Sequence, residues 1–193
     1  MINGIQQMGI GTPDVQASWK WYRKNFGFDI PVFDEAAEAP LMTQYTGGAV
    51  HARHALLAMN LNGGGGMEIW QFTSRKSARQ HSFSLLQNGL LVTKIKCRDA
   101  KLGLESVADN ATSAVVLDPT AKPSFSVIDP FGNPFIAAES DDWFQKKHSL
   151  FGGIEGVIIG VSDMERSLKF YREVLEIDKI IFDQEAVFED LKG

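Results

Sequence analysis

Apolar residues near the start of the chain recur at the spacing of one helical face. Val15, Trp19, Tyr22 and Phe26 lie at positions i, i+4, i+7 and i+11, and most polar residues of this segment fall outside that stripe. Asp14 precedes the stripe, and its carboxylate suits the free amides of a first helical turn. The pattern predicts a helix after Asp14, between an apolar segment at residues 4–12 and a strand in FDIPVF.

The same pattern returns near the end of the chain. GIQQMGIGTPDVQASWKWYRKNFGFDIPVFDEA begins at residue 4, and GIEGVIIGVSDMERSLKFYREVLEIDKIIFDQEA begins at residue 153. Differences at the stripe are mild, since Val15 becomes Met164 and Phe26 becomes Leu175. A fainter copy lies in LLVTKIKCRDAKLGLESVADN, where Asp99 takes the place of Asp14. We therefore expect one structural unit, a strand, a helix and a strand, used three times.

Two of the three copies continue into further strands. The first runs through residues 42–60 into MEIWQFT, and Gly63–Gly66 is predicted to be a hairpin because a strand follows it, whereas a phosphate-binding loop would lead into a helix. The second runs through SAVVLDP, SFSVIDP and PFIAAES, with turn signals between them. Each complete unit reads βαβββ, so the expected fold class is α+β with tandem βαβββ modules.

The third copy is expected to be an incomplete βαβ module. After IDKIIFD the sequence given has too few residues for two more strands with their turns. This favours a fragment of a longer protein, and completion against another chain, including a homodimer, is the alternative. The predicted domain organisation is 1–74 for module 1, 88–143 for module 2 and 152–193 for the unfinished module, and the first two are expected to pair.

Composition narrows the choice of partners. Of the 193 residues, 44% are hydrophobic and 22% are charged, as in an ordinary globular protein. The formal net charge of −5 disfavours nucleic acid, whose binding relies on clustered Lys and Arg. The sequence shows no secretory signal and no apolar stretch of membrane-spanning length, so no membrane partner is expected. A single cysteine points to a reducing, cytoplasmic setting.

Three segments of the sequence resemble those of a known family. The start GIxxxGIGTPDxxxSxxWY, the later VSDMERSLKFYREVLEI and the hairpin IDPFGNPFIAAES resemble the vicinal oxygen chelate superfamily. That superfamily includes glyoxalase I, bleomycin-resistance proteins, extradiol dioxygenases and methylmalonyl-CoA epimerase. The resemblance implies two βαβββ modules whose curved sheets form a cup. Its members include isomerases, lyases, dioxygenases and ligand-sequestering proteins, so the reaction type stays open.

The resemblance also implies a metal site with donors from the first and last strand of each module. Carried over by position, the first-strand donors fall at Gln7 in module 1, Val92 in module 2 and Gly156 in the third module. The last-strand donors fall at Glu68 in module 1 and at about Ile136 in module 2. Val and Ile offer no donor to a divalent ion. The sequence therefore predicts a half-site of Gln7 and Glu68, with no cofactor expected and a divalent metal as the alternative.

The predicted strand MEIWQF places three further candidates on one face. Glu68, Trp70 and Phe72 alternate along it, so Glu68 is a candidate general base or polar anchor, or else a solvated rim carboxylate. Trp70 and Phe72, with Gln7, are the candidate ligand-binding residues, since an aromatic hollow suits small planar molecules. His51 and His54, three positions apart, are expected on opposite strand faces, and His81 and His148 are expected to be exposed.

Three functions remain open from the sequence. The first, which we favour, is a glyoxalase/bleomycin-resistance-like protein that binds a small organic molecule in the cup without a complete metal site. The second is a metal-dependent lyase, isomerase or dioxygenase that uses Gln7 and Glu68. The third is a catalytically silent scaffold within a longer protein.

Overall fold

The computed structural model describes residues 2, 4–76, 87–145 and 149–185. Within them the chain forms nine strands, three α-helices and two short 3-10 helices. The strands are β1 Gln7–Gly11, β2 Ile30–Glu38, β3 Ala52–Met59, β4 Gly66–Phe72, β5 Gly89–Cys97, β6 Val116–Leu117, β7 Pro123–Ile128, β8 Pro134–Glu139 and β9 Phe151–Gly160. The helices are α1 Val15–Phe26, α2 Ala100–Ser106 and α3 Met164–Leu175, and the 3-10 helices are Pro40–Tyr45 and Ala108–Asn110.

All three α-helices begin at an aspartate, as the sequence predicts. The side chains of Asp14, Asp99 and Asp163 each accept a hydrogen bond from the amide three residues later, at 2.9–3.0 Å. Helix α1 ends at Gly27, whose φ of +71° is the left-handed conformation that glycine adopts without steric cost. The start and end of α1 thus follow directly from its sequence.

Two open sheets organise the chain. Sheet 1 has the order β1-β4-β3-β2, and sheet 2 has the order β6-β7-β8-β5-β9. In each, the first strand of a module lies parallel to its last strand: β1 pairs with β4, and β5 pairs with β8. The order β5-β8-β7-β6 therefore repeats β1-β4-β3-β2, which confirms the α+β fold built from βαβββ modules with curved, unclosed sheets.

One hydrophobic core joins the two sheets through α1. Tyr22 and Phe26 are fully buried, and both rings contact Phe135 of β8 edge to face. Phe26 also contacts Phe151 of β9. Met67 of β4 is fully buried in the same cluster. Helix α1 thus covers the inner face of sheet 1 and reaches sheet 2, which leaves the other face of β4 available for a site.

The hairpin between β3 and β4 packs against the start of β9. A Cβ at Gly153 would lie 1.3 Å from the carbonyl oxygen of Gly64, so only glycine fits this approach. Gly64 and Gly65 have φ values of +83° and +84°. The glycine run is therefore a hairpin followed by a strand, as predicted, and it contacts the third module.

The third module differs from the sequence expectation at one point. Strand β9 and helix α3 form, but residues 176–185, which include IDKIIFD, contain no strand. In module 1 the corresponding strand β2 is held by hydrogen bonds to β3. The described part of the third module offers IDKIIFD no such neighbour, and a lone strand leaves its backbone unpaired. The predicted boundaries of the three domains remain predictions.

Candidate ligand-binding site

The structure brings Gln7 and Glu68 together. Because β1 and β4 are parallel, with Gly9 opposite Glu68, the side chain of Gln7 lies on the same face as that of Glu68. Gln7 Nε2 donates a hydrogen bond of 2.5 Å to Glu68 Oε2. Both side chains are half-buried. The two side chains thus form a hydrogen-bonded polar pair on the outer face of sheet 1, the face opposite the one that packs against α1.

Trp70 and Phe72 extend that face into an aromatic wall. Every second residue of β4 points the same way, so both rings follow Glu68 along the strand, with centroids 6.1 Å apart. The wall lines a cavity of about 400 Å³, together with Met42 from the first 3-10 helix and residues 9–11 of β1. Gly9 and Gly11 contribute no side chains, which keeps the floor of this cavity open.

Two arginines at the wall were not predicted from the sequence. The guanidinium of Arg53 lies 5.0 Å from the Trp70 ring centroid, and that of Arg75 lies 4.2 Å from the Phe72 centroid. Arg53 Nη2 also donates to Glu35 Oε1 at 2.7 Å. Arg53 stands opposite Phe72 in the β3–β4 ladder. The position of Arg53 beside the wall follows from the register of the β3–β4 hairpin, but the length of the glycine run alone does not fix that register.

His51, which precedes β3, and His54, which lies in β3, are on different faces of sheet 1, as expected from their spacing. The His51 ring contacts Phe72 at 5.8 Å, on the cavity side. His54 Nε2 lies 2.5 Å from Asp34 Oδ1, and Asp34 in turn accepts a hydrogen bond from Gln16 of α1. They therefore do not converge on one ligand. His81 and His148 lie outside the described residues.

The donor set does not fit the four-ligand metal site that the resemblance implies. Gln7 and Glu68 occupy two of the four positions, and the module 2 positions hold Val92 and Ile136, which have no donor atoms. Val92 is 6% exposed and lines a second cavity of about 330 Å³ beside β1. In the described part of the chain no three His, Cys, Asp or Glu side chains form a group suited to a metal ion.

Comparison with solved structures identifies the architecture. A glyoxalase family protein from Bacillus cereus matches 72% of this chain and 95% of its own, with a TM-score of 0.57 and 12% identity. The chain has the glyoxalase fold. Glyoxalase I from Zea mays matches 89% of the chain at a TM-score of 0.56 and 16% identity. A glyoxylase/bleomycin resistance protein/dioxygenase domain from Frankia sp. matches 78% at a TM-score of 0.50 and 11% identity.

These likenesses support the resemblance to the vicinal oxygen chelate superfamily at the level of the fold. The chain spans about half the length of the maize protein, 54%, and nearly all of the Bacillus cereus and Frankia chains. No protein-family model and no curated protein matches the sequence. Among the described residues, no helix has the length and apolar character needed to cross a membrane.

Proposed function

We propose that the protein binds a small organic molecule in the cavity of sheet 1 and does so without a complete metal site. The observation that carries this proposal is the contact between Gln7 and Glu68 beside the Trp70–Phe72 wall, in a cavity of about 400 Å³. Binding sites for small molecules are typically apolar, aromatic-lined hollows of about 300–1,000 Å³ with a few placed polar groups. The glyoxalase fold of the chain is consistent with such a role.

A thermal-shift screen with a library of small organic molecules tests this proposal. A ligand at about 100 times its dissociation constant should add about 2.7 kcal/mol of apparent stability to the protein. Trp70→Ala should remove that stabilisation because it removes half of the aromatic wall. Phe144→Ala is the matched control, since Phe144 is 76% exposed and does not line the cavity. Stabilisation that survives Trp70→Ala would place the binding elsewhere.

A metal-dependent lyase, isomerase or dioxygenase is the second candidate. The specific observation in its favour is that Gln7 and Glu68, the two donors that the resemblance implies, are in contact. Metal analysis of the purified protein separates the two candidates. Stoichiometric Zn, Ni, Mn or Fe that disappears in Glu68→Ala would overturn the metal-free proposal. A protein that no compound stabilises and that carries no metal would support the scaffold role.

A further inference from the structure

The first strand of module 1 has one free edge. Strand β1 lies at the end of sheet 1, where β4 is its neighbour on one side. The carbonyl of Gln6 and the amide of Thr12 both form hydrogen bonds to β4. Main-chain groups of a strand point alternately to its two sides, so the amides and carbonyls of residues 7, 9 and 11 point away from β4. Among the described residues these groups have no hydrogen-bond partner.

Two glycines keep this edge accessible. Gly9 and Gly11 are both exposed, and no atom of the described residues lies within 4 Å of a Cβ added at either one. A cavity of about 330 Å³ borders the edge, between residues 8–11 of β1 and residues 90–93 of β5. The described part of sheet 2 therefore does not cover the edge. Such an edge is suited to pairing with another strand.

Module 2 shows which kind of strand this edge accepts. Strand β5 corresponds to β1 at an offset of 85 residues, and it pairs with β8 as β1 pairs with β4. Cys97, the counterpart of Thr12, bonds on the β8 side, whereas the amide of Arg98 bonds on the β9 side, to Leu150. The edge that is free in β1 is therefore covered in β5, by the antiparallel first strand of the third module, β9.

The register between β5 and β9 is symmetric. Thr93 lies opposite Val157, and both correspond to Met8 when the offsets of 85 and 149 residues between the copies are applied. On either side of this pair, the counterpart of Gln7 lies opposite the counterpart of Gly9. Two strands in this register are related by a two-fold axis at the position of Met8. Two copies of β1 can adopt the same register, because a two-fold interface places the same surface on both partners.

Apolar residues before β1 are exposed where their counterparts in β9 are buried. Ile2 and Ile5 are both exposed. Their counterparts at an offset of 149 residues are Phe151 and Ile154, which are buried in the part of β9 that pairs with β5. A strand on the free edge of β1 would cover Ile2 and Ile5 in the same way, and the burial of apolar surface favours such pairing.

We infer that this edge binds a second copy of the chain, with β1 antiparallel to β1, in a two-fold symmetric dimer. Gln7 of each copy lies opposite Gly9 of the other, and the two residues exchange main-chain hydrogen bonds. Opposite residues of paired strands share a face, so the missing side chain of Gly9 leaves room for Gln7 of the other copy. The two four-stranded copies of sheet 1 then form one continuous sheet. This inference goes beyond the binding function proposed above and does not rest on it.

Analytical ultracentrifugation of two Gly9 variants tests the inference. The wild type should have twice the mass of one chain at high concentration and should dissociate on dilution. Gly9→Pro removes the amide that points to the partner and leaves the hydrogen bonds to β4 in place. The dissociation constant should rise about thirtyfold or more, since two main-chain hydrogen bonds are lost per dimer. Gly9→Ala is the matched control, because it keeps the amide and its Cβ meets no described atom, and it should dimerise like the wild type.

Hydrogen exchange of the wild type, followed by NMR, is a second measurement that needs no substitution. The amides of Gln7 and Gly9 point to the partner and should exchange more slowly in concentrated than in dilute protein. The amides of Met8 and Ile10 point to β4, so their exchange should not depend on concentration. This measurement decides the question if circular dichroism shows that Gly9→Pro does not fold.

Three results would overturn the inference. The first is a wild type that stays monomeric at every concentration, in which the exchange of Gln7 and Gly9 is the same in dilute and concentrated protein. The second is a dimer that a folded Gly9→Pro variant retains with unchanged affinity, which would place the interface elsewhere. The third is a dimer that Gly9→Ala also loses, because main-chain pairing does not require a glycine at this position.

Discussion

The hydroxyl of Tyr22 joins the first helix to the hairpin between β7 and β8. It donates a hydrogen bond to Asp129, which is only 3% exposed. The Asp129 carboxylate also accepts from the backbone amides of Phe131 and Asn133, at 2.9 and 2.7 Å. Burial, together with the Asp129 charge, raises the pKa of Tyr22 well above its usual value. The phenol therefore stays protonated and donates across the whole working pH range.

Tyr22→Phe should lower the free energy of unfolding by roughly 1.5–3 kcal/mol, because a charged, buried acceptor loses one donor. Urea unfolding followed by circular dichroism measures the change. Tyr171→Phe is the matched control, since Tyr171 occupies the corresponding place in the third module and is only half-buried. It should change stability by less than about 0.5 kcal/mol. Equal losses in the two variants would contradict this role for Tyr22.

Glu155 on β9 is a half-buried carboxylate with an incomplete set of partners. Its Oε2 is inaccessible and has no hydrogen-bond partner among the described residues. Burial raises the pKa of Glu155 above its usual value, and the charges of Lys94 and Lys122 offset this only in part. The folded state thus favours the protonated form, so ionisation of Glu155 destabilises the fold as pH rises through its raised pKa.

Glu155→Gln should therefore gain stability relative to the wild type as the pH rises. Below the ordinary glutamate pKa, both the folded and the unfolded wild type are protonated, and ionisation makes no difference between the two proteins. Urea unfolding of both proteins at pH values from about 3 to 8 measures the free energy of unfolding of each. The difference between the two values isolates Glu155, because all other titrating groups are common to both proteins. A difference that stays constant, or that moves in favour of the wild type with rising pH, would show that the pKa is not raised.

At the level of single residues, the sequence predicted which polar and aromatic side chains share one face of sheet 1, and their role in binding stays a prediction. Glu68, Trp70 and Phe72 follow from strand alternation alone, and Gln7 follows from the position carried over by the resemblance. Arg53 and Arg75 could not be predicted, because their place depends on the β3–β4 register and on the path of the chain after Phe72. Cross-strand partners are set by turn geometry, which the glycine run leaves open.

Helices α1 and α3 are copies of one element in two environments. Helix α1 buries four of its residues, whereas α3 has none that is fully buried. Val15 is 1% exposed, and its counterpart Met164 is 63% exposed. Both helices end in the left-handed conformation, at Gly27 with φ of +71° and at Glu176 with φ of +56°. That conformation is strained for a residue with a side chain.

Glu176→Gly should stabilise α3 against local opening by roughly 1 kcal/mol relative to Glu176→Ala, because both variants lose the contacts of the side chain and only alanine keeps the Cβ; the exchange of the α3 amide hydrogens should be about fivefold slower in the glycine variant. Hydrogen exchange read by mass spectrometry on α3 peptides measures this directly. Gly27→Ala is the opposite control and should destabilise the protein, since its Cβ would also lie 3.1 Å from Asn60 Nδ2. Exchange in Glu176→Gly that is as fast as in Glu176→Ala, or faster, would mean that the cap is not strained.

For the helices and strands, the sequence predicted those features that depend on residues close together in the chain. The three aspartate caps, the Gly27 end of α1 and the run of three strands in module 2 all formed where the sequence placed them. The strand expected in IDKIIFD did not form, because a strand needs a hydrogen-bonded neighbour and the described residues of that module supply none. The strand propensity of the residues alone could not reveal this difference between β2 and IDKIIFD, the corresponding segment of the third module.

The whole molecule separates its core from its candidate site. One face of β4 carries Met67 and Ile69, both fully buried beneath α1, and the other carries Glu68, Trp70 and Phe72. Substitutions in the cavity therefore remove binding groups without opening the core. The repeat predicted that modules 1 and 2 share one βαβββ unit. The order of strands within each sheet and the place of α1 required the structure, because both depend on contacts between distant residues, such as those of Phe26 with Phe135 and Phe151.

Binding to metal-depleted protein decides whether the protein holds its ligand without a metal. The protein is treated with a chelator, dialysed and titrated calorimetrically with the compound that stabilises it most in the screen. We expect one molecule bound per chain, an affinity unchanged by the chelator, and no binding in Trp70→Ala. Binding that disappears on metal removal and returns when Zn, Ni, Mn or Fe is added back would show that a metal is part of the binding site.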